Sequence, residues 1–335
     1  MKIIFVNRFF WPDPSATSQM LRDVAFHLAA NGVEVTVIAS RAEYLRREER
    51  LQARETVNGV TVRRVRALRA GQASLLLRGV NFLIFYARVF VQLLRETREG
   101  DLVICKTDPP VGLVPCYLAA KLRSGKFGNW IQDIFPETAV ALGYISSRNP
   151  LTKLVTSCRN HVWRNADVNV VIGERMRSYL IAHGCETKAL RVIPNWADET
   201  LLTPKPANES QCREKWGFQP QHLVAGYSGN LGRAHDTTTI LTAMRILAER
   251  GETNVRFLFV GGGAQVESIK KFARLHRLTT VTFQKFQPQA NLADSLAAAD
   301  IHWLSLQPDL EGHIVPSKFY GICAAGRPAI FIGAK

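Results

Sequence analysis

The sequence predicts an α/β protein built from two parallel-sheet domains, in each of which strands and helices alternate. Three observations lead to this prediction. Short apolar runs of strand length alternate with segments in which apolar residues recur every three or four positions. At 335 residues the chain is longer than one typical domain. A polar stretch rich in Pro, Asn, Ser and Gln, Thr203–Gln211, separates two such series and is interpreted as the linker.

The first series begins with a βαβ unit. Ile3–Val6 is predicted to be a buried strand, Asn7–Ser18 a long loop, and Met20–Ala29 has the apolar spacing of a helix. The strand Val33–Ala39 follows, which predicts parallel pairing through a right-handed crossover. The loop after the first strand therefore falls at the carboxyl end of the sheet, where open α/β sheets bind their ligands.

The remaining elements of the first series continue the alternation. The predicted strands are Thr61–Val65, Asp101–Lys106, Asn129–Gln132, Val168–Ile172 and Ala189–Ile193, and the predicted helices are Leu75–Leu94, Leu113–Leu122, Leu151–Arg164 and Glu174–His183. Asp108 and Asp133 each come just beyond a strand, so both carboxylates are expected at the ligand-binding edge. The alternative for either residue is an ordinary loop acid.

The helix Leu75–Leu94 carries aromatic residues at helical spacing, but its uninterrupted apolar run is too short to span a bilayer. Two interpretations remain open. The helix is either buried against the sheet or lies in a membrane interface, with its Arg side chains towards anionic lipid. The adjoining Arg-rich segment, residues 41–69, favours the second interpretation.

The second series contains glycine-rich turns after its strands. The predicted strand Leu223–Tyr227 leads into the turn Ser228–Arg233 and a helix over Thr237–Glu249, and the strand Val255–Val260 leads into a run of three glycines beginning at Gly261. Such turns allow the backbone to approach a ligand closely, and an Arg in the first turn supplies a planar fork for phosphate. Neither turn has the GxGxxG pattern, which argues against a nicotinamide enzyme.

A third ligand-type loop lies in Glu311–Pro328, where Pro316 and Ser317 precede a helix that begins near Lys318. The unpaired N–H groups and partial positive charge of a helix start attract phosphate. Glu311, on the loop before that helix, could accept hydrogen bonds from sugar hydroxyls. The alternative is a capping Ser with a solvated Lys, but three such loops on one predicted sheet favour a ligand site.

Composition limits the classes of function. Lys and Arg exceed Asp and Glu by 43 − 28 = 15, which suggests a polyanionic neighbour, either nucleic acid or an anionic membrane. The six cysteines form no CxxC pair and are expected to be buried thiols in a reducing cytoplasm. Met1 and Lys2 run directly into a strand, so no secretory signal is expected. A nucleic-acid-binding protein remains a remote alternative because the phosphate-sized loops fit it poorly.

Six motifs, in order along the whole chain, carry a resemblance to a known family. They are Phe10–Ala16, Trp130–Glu137, Ile193–Trp196, Tyr227–Gly232, Phe257–Gly261 and Val315–Gly321. With these motifs the chain resembles the retaining nucleotide-sugar glycosyltransferases of family 4, which have the GT-B fold. Within them it is similar to a bacterial subgroup of the WbuB type that elongates lipid-linked surface polysaccharides.

The resemblance implies two Rossmann-like parallel-sheet domains that face a cleft. Residues 1–197 would bind the acceptor, and residues 198–335 would bind a nucleotide-diphospho-sugar, expected to be UDP-linked. Family members usually continue through further α/β units, so the carboxy-terminal domain is expected to be truncated. The acceptor would be a polyprenyl-diphosphate-linked saccharide, placing the enzyme on the cytoplasmic face of the cell membrane.

The resemblance and the loop chemistry together assign roles to thirteen residues. The expected catalytic residues are Asp133 and Glu311; the donor-binding residues are Gly229, Asn230, Arg233, Gly261, Gly262, Pro316, Ser317 and Lys318; and the acceptor-side residues are Pro12, Ser15 and Asp108. The chain departs from the family pattern at Asn230 and His235, where the family often has Arg and Lys, and at Phe319, where it has a second Glu.

The implied mechanism uses neither metal nor cofactor. Cationic side chains and backbone N–H groups would stabilise the leaving diphosphate, which would take the proton of the attacking hydroxyl. The alternatives left open are a GT-B sugar epimerase or phosphorylase and an inactive truncated glycosyltransferase.

Overall fold

The computed structural model of the protein describes residues 1–13, 15–42, 51–66 and 75–334, with residues 75–78 described by their backbone alone. The chain divides into two compact units. The first contains Met1–Pro194 together with Gly312–Ile314, and the second contains Asn195–Glu311 and the residues from Val315 onward.

The first unit alternates strands and helices as the sequence predicts. Its strands are β1 Ile3–Val6, β2 Val35–Ser40, β3 Arg54–Val57, β4 Val60–Val65, β5 Leu102–Lys106, β6 Lys126–Ile131, β7 Val168–Val171 and β8 Leu190–Val192. Its helices are α1 Ala16–Ala30, α2 Leu75–Glu96, α3 Leu113–Leu122, α4 Glu137–Ala141, α5 Pro150–Asn165 and α6 Glu174–Ala182.

Within the described residues these strands form one sheet in the order β3-β4-β2-β1-β5-β6-β7-β8. The pairs are parallel except for β3 with β4. The chain extends from β1 to one side of the sheet and returns to β5 on the other, so the strand order reverses between β1 and β5. Crevices at such reversals are where open α/β sheets bind ligands, at the carboxyl ends of the strands.

The second unit has a smaller sheet. Its strands are β9 Leu223–Asn230, β10 Val255–Gly262, β11 Val281–Gln284, β12 Ile301–Ser305 and β13 Ala329–Ile332, and its helices are α7 Gln211–Lys215, α8 Thr238–Glu249, α9 Val266–Leu275, α10 Leu292–Ala297 and α11 Lys318–Ala324. In the described part of the chain the order is β11-β10-β9-β12-β13, all parallel. This order reverses between β9 and β12, which predicts a ligand crevice there.

One expected linker is part of the second unit. Thr203–Gln211 is interpreted from the sequence as the linker, but the structure places it inside the second unit. Ser210 caps α7 by accepting from Arg213 N, and Asp294 accepts hydrogen bonds from Cys212 N at 2.8 Å and from Lys205 at 2.5 Å. A carboxylate with several donors fixes the stretch in place, so its polar composition reflects these bonds.

The strand β3, and with it the hairpin β3–β4, was missed by the sequence analysis, whereas β4 corresponds to the predicted strand Thr61–Val65. Asn58 and Gly59 both have positive φ and form the two-residue turn of the hairpin, as Asn-Gly pairs commonly do. Arg64 of β4, whose side chain is fully buried, pairs with Glu55 at 2.5 Å and donates to the Trp11 carbonyl at 2.6 Å. The hairpin is thereby bonded to the loop that follows β1.

The helix α2 packs its aromatic residues into the core of the first unit. Phe85 is buried with Val89 and Leu93, and Tyr86 and Phe90 pack against the same cluster. Among the described side chains of α2 the exposed large apolar ones are aliphatic, and these three rings pack in the core, as burial of the helix against the sheet predicts. Among the described residues, no helix has the length and apolar character needed to cross a bilayer.

Candidate active site

The carboxyl ends of β9 and β10, next to the strand reversal of the second unit, are built around closely approaching glycines. Gly229 of β9 pairs in register with Gly261 of β10, and both have φ near +130°, at +130° and +125°. A Cβ added at Gly229 would lie 2.4 Å from Cε of Lys318, and one at Gly261 would lie 2.3 Å from the Gly229 carbonyl oxygen. Glycine is therefore required here, both for its conformation and for the space that the lysine chain occupies. The turn expected over Ser228–Arg233 begins later, because β9 continues to Asn230.

Lys318 extends from α11 across the end of β9. Its ammonium lies 5.4 Å from the ring centroid of Tyr227 and 3.5 Å from Nε2 of His235. Burial lowers the pKa of Lys318 to about 8, so the side chain is still mostly charged at neutral pH. The helix itself has only seven residues, and Ser317 makes no capping bond with its side chain. We therefore attribute the anion attraction of this region to the Lys318 ammonium and not to the helix start.

His235 is buried and its bonds fix a neutral ring. Nδ1 lies 2.7 Å from the Ser305 carbonyl oxygen and is therefore the protonated nitrogen, which leaves Nε2 as an acceptor. Burial, followed by the charge of Lys318, lowers the pKa of His235. The third member of the group formed by Lys318 and His235 is Tyr227. Its hydroxyl donates to the Asn230 carbonyl at 2.9 Å and lies 3.1 Å from Nε2 of His235. The single cation of this group is thus Lys318.

A cavity of about 220 Å³ adjoins these glycines. Its walls include Gly229, Gly262 and the ring of Phe283, together with two lysines, Lys270 and Lys285. Lys270 pairs with a surface glutamate on its own helix and lies 5.7 Å from the Phe283 centroid. The cavity therefore combines an apolar wall with hydrogen-bond donors.

Other expected donor residues have different surroundings. Arg233 is exposed, and its carbonyl accepts a bond from Gln307 at 2.9 Å. Pro316 accepts a backbone bond from Phe319 at 3.1 Å, which forms the turn into α11. The Glu311 carboxylate accepts the backbone N–H of Ala334 at 2.6 Å, just beyond β13. Glu311 thus lies near a strand end, and one of its oxygens is engaged by the backbone.

The strand reversal of the first unit brings together the expected acceptor-side residues. Asp108 follows β5, and its carbonyl accepts the N–H of Arg8, which follows β1, at 2.8 Å. Ser15 N donates to Asp13 at 2.8 Å, at the point where the same loop enters α1. Pro12 is exposed on that loop. Ser15 and Asp108 therefore share one edge of the sheet.

Asp133 follows β6 on the same edge. Its neighbour Ile134 donates a backbone bond to His313 at 2.8 Å, and Asp133 itself forms an isolated bridge with Ile314. Desolvation raises the pKa of Asp133 to about 6, with the Asp108 charge adding to the shift. Desolvation also raises the pKa of Asp108 to about 6. As residues, Asp133 is exposed and Asp108 is half-buried.

Lys106, at the end of β5, is a buried cation that the sequence analysis missed. It is 1% exposed, its ammonium donates to the Thr17 carbonyl at 3.1 Å, and it lies 3.8 Å from the ring centroid of Trp130. Burial lowers its pKa to about 7, against the opposing effect of Asp108 and Asp133. A Lys that ends an otherwise apolar strand was the available signal.

Comparison with protein-family models identifies glycosyl transferase domains in both halves of the chain. The model of the glycosyl transferase 4-like domain matches residues 15–196, and that of glycosyl transferases group 1 matches residues 208–330. The chain belongs to these glycosyltransferases, and the family predicted from its motifs is confirmed.

A curated relative agrees with this assignment. The "Probable glycosyltransferase WbjE" of Pseudomonas aeruginosa is 29% identical over 253 residues, which are 75% of this chain and 62% of that relative. The chain thus spans less than two thirds of the relative's length.

Among solved structures, the Anabaena protein Alr3699/HepE in complex with UDP aligns with a TM-score of 0.70 at 16% identity, over 99% of this chain and 81% of that one. WaaG, a glycosyltransferase involved in lipopolysaccharide biosynthesis, aligns with a TM-score of 0.65 at 14% identity, over 98% of this chain and 80% of that one. These likenesses confirm the predicted fold class, two Rossmann-like parallel-sheet units of the GT-B type.

Proposed function

We propose that the protein is a retaining glycosyltransferase that moves a sugar from a nucleotide-diphospho-sugar to a lipid-linked oligosaccharide in bacterial surface polysaccharide synthesis. The observation that carries the donor half of this proposal is the position of Lys318, whose side chain packs on Gly229 beside a cavity at the carboxyl ends of β9, β10 and β11. A half-buried cation next to exposed strand-end backbone suits a diphosphate, and the adjoining apolar cavity suits a base.

The relatives support a UDP-linked donor. The Anabaena protein is described with UDP, with UDP and glucose, and with UDP-glucose. In this chain the donors of Lys270 and Lys285 favour a base whose edge carries carbonyl oxygens, as uracil does. WaaG acts in lipopolysaccharide biosynthesis, which supports a role in surface polysaccharides.

The proposed reaction balances without a general base. The acceptor hydroxyl oxygen attacks the anomeric carbon on the side of the leaving group, the bond to the diphosphate oxygen breaks, and that oxygen takes the hydroxyl proton. Lys318 and Arg233 stabilise the charge on the leaving diphosphate, so the transfer is proposed to need neither metal nor cofactor. Asp133 and Glu311 accept hydrogen bonds from sugar hydroxyls and contribute through orientation.

The acceptor is proposed to carry a polyprenyl diphosphate, which would bring the protein to the cytoplasmic face of the membrane. Arg63 and Arg64 do not serve that contact, because Arg63 pairs with Glu96 at 2.9 Å and Arg64 is buried. Arg66 is exposed, whereas Arg69 and residues 43–50 lie outside the described residues.

Another face of the first unit fits a membrane better. The helices α2, α3 and α5 pack side by side, and they expose Leu83, Leu122 and Leu151, at 67%, 68% and 65%. Arg88 and Lys153 are exposed on the same helices. Apolar side chains among basic ones suit the surface of an anionic bilayer. We propose this apolar-basic face of α2, α3 and α5 as the membrane contact.

A transfer assay tests the proposed function. The protein is incubated with radiolabelled UDP-, GDP- and ADP-sugars, with and without bacterial lipid extract. Label that enters the organic phase only with extract is the expected result. Release or isomerisation of the sugar without extract would instead support the epimerase or phosphorylase alternative, and no turnover with any UDP-, GDP- or ADP-sugar would support an inactive protein.

A further inference from the structure

Arg159 of α5 is a buried cation to which the proposed transfer chemistry gives no role; it is 2% exposed. Its guanidinium forms a bidentate pair with Glu137, the first residue of α4: Nη1 donates to Oε2, and Nη2 lies 2.9 Å from Oε1. Nη1 also donates to the Phe135 carbonyl at 2.8 Å. Two of the partners of Arg159 therefore lie where the chain enters α4.

The rest of the guanidinium is bonded within α5. Nε and Nη2 donate to Oδ1 of Asn160 at 3.1 and 2.7 Å, and the group lies 4.0 Å from the ring centroid of Trp163. All three nitrogens of Arg159 thus have acceptors. Because a guanidinium is planar and its donors have fixed directions, these contacts define one orientation of the side chain.

The residues that Arg159 bonds follow directly from Asp133. Residues 132–136 connect β6 to α4 and form the β6–α4 loop. Arg159 binds the end of this loop. Near its beginning the Ile134 N–H donates to the carbonyl of His313, which belongs to the same unit, at 2.8 Å. The backbone of the loop is therefore bonded on both sides of Ile134.

Tyr179 of α6 connects these two attachments. Its side chain hydrogen-bonds Glu137, and its ring packs edge-on against His313 with 5.0 Å between centroids. Burial alone would raise the pKa of Glu137, but the hydrogen bond and charge of Arg159 outweigh burial and keep this pKa below its usual range. Glu137 is therefore an ionised acceptor for both α5 and α6 at neutral pH.

Stability alone is a poor explanation for this arrangement. The cost of desolvating a buried ion pair offsets much of its attraction, and apolar residues of similar volume often replace such pairs without loss of stability. Apolar side chains could fill the space of Arg159 and Glu137, but they could not donate to the Phe135 carbonyl. The effect specific to Arg159 is on the backbone of the β6–α4 loop.

We propose that Arg159 is a positioning residue of the acceptor side, which fixes the β6–α4 loop through Glu137 and the Phe135 carbonyl and thereby sets the place of Asp133. Asp133 contributes through orientation, so a loop with several arrangements would lose that contribution. The proposal deepens the proposed function and rests on it for the role of Asp133.

The test is amide hydrogen exchange, followed by NMR in the whole protein. The double variant Arg159→Met/Glu137→Gln leaves no charge of the pair behind, and its Ile134 amide should exchange about tenfold faster or more. The reference is the Arg8 amide, whose 2.8 Å bond to the Asp108 carbonyl lies at the same edge of the sheet and should keep its rate. Unchanged exchange of Ile134 in the folded double variant would overturn the proposal.

Two further variants separate positioning from general loosening. Arg159→Lys keeps the charge but not the fork, so Ile134 should again exchange faster, and natural exchange in this variant would also overturn the proposal. Arg213→Met/Asp300→Asn removes a comparable pair of the second unit, with 2.9 Å between Nη1 and Oδ2, and should leave Ile134 unchanged. Equal acceleration in this control would mean that the effect is not specific to Arg159.

The exchange readout is independent of transfer activity. Where transfer is measurable, Arg159→Met/Glu137→Gln should lower kcat with saturating donor and leave the UDP affinity measured by calorimetry unchanged. A protein that transfers nothing but shows the faster exchange of Ile134 would contradict the proposed function and leave the dependence of the loop on Arg159 intact. Unaltered kcat despite faster exchange would overturn the link to Asp133.

Discussion

At the scale of single residues, the group formed by Lys318, His235 and Tyr227 carries one positive charge. His235 is neutral, so Lys318 carries the charge of the group formed with Tyr227. We expect Lys318→Met to weaken UDP binding by roughly 1.5–3 kcal/mol, the contribution of a charge-assisted hydrogen bond. Calorimetry measures this loss. Lys271→Met, at an exposed lysine of α9, is the matched control and should bind UDP normally. Equal affinities of the two variants would remove Lys318 from the diphosphate site.

A substitution at Asp133 is the most direct test of the proposed acceptor side. Asp133→Asn preserves the size of the side chain but loses the negative charge, so we expect slower turnover with unchanged UDP affinity. Steady-state kinetics with saturating donor measures the first effect and calorimetry the second. Normal turnover would make Asp133 a loop acid, which was the alternative interpretation of its position.

At the scale of elements, the sequence predicts most of the fold because apolar periodicity is local. The strand β1 and the helix α3 are found at their predicted bounds. The strand β3 was missed because its four residues, Arg54–Val57, begin with two charged side chains and form no apolar run. Lys106 was missed because Thr17 and Trp130, its partners, are distant in sequence. A motif could predict the donor glycines, but not that a lysine chain crosses one of them.

That crossing gives a prediction for the strand end of β9. Gly229→Ala should displace Lys318, because the new Cβ would lie 2.4 Å from its Cε, and UDP binding should fall with it. Gly251→Ala is the control, since Gly251 has φ +70° with nothing within 4 Å of the added Cβ. The control should lose about 1 kcal/mol of stability from its backbone alone and bind UDP normally. Chemical denaturation measures the stability of the two variants, and calorimetry measures their UDP affinity. Equal UDP affinity of Gly229→Ala and Gly251→Ala would contradict the placement of the Lys318 side chain over Gly229.

At the scale of the whole molecule, the two units place opposite limits on working pH. Asp133, with its pKa raised to about 6, becomes protonated as the pH falls below that value, and its carboxyl group then no longer acts only as a hydrogen-bond acceptor. Lys318, with its pKa lowered to about 8, loses its charge as the pH rises above that value. A bell-shaped profile of kcat/KM is therefore expected, with limbs near these two values. An alkaline limb that persists unchanged in Lys318→Arg would assign it to another group.

The apolar-basic face predicts reversible membrane attachment. The protein should sediment with anionic vesicles at low salt, be released at high salt, and bind neutral vesicles little, since each basic contact contributes about 1 kcal/mol and salt screens it. Replacing both Leu122 and Leu151 with Gln should reduce the low-salt binding. Leu275→Gln, at a leucine that is 74% exposed on α9 of the second unit, is the control and should sediment normally. Equal binding to neutral and anionic vesicles would exclude this contact.

The guanidinium of Arg64 bonds the hairpin β3–β4 to the loop that we propose to serve the acceptor. It joins the hairpin to the Trp11 carbonyl, within the loop that also carries Pro12. In engineering terms, a hairpin exchanged for that of a relative would carry a change in loop shape with it. If the introduced hairpin lacks an arginine at this position, the loop after β1 loses its bond to the sheet edge. Such an exchange is expected to alter the preference for the acceptor substrate without a change in the second unit.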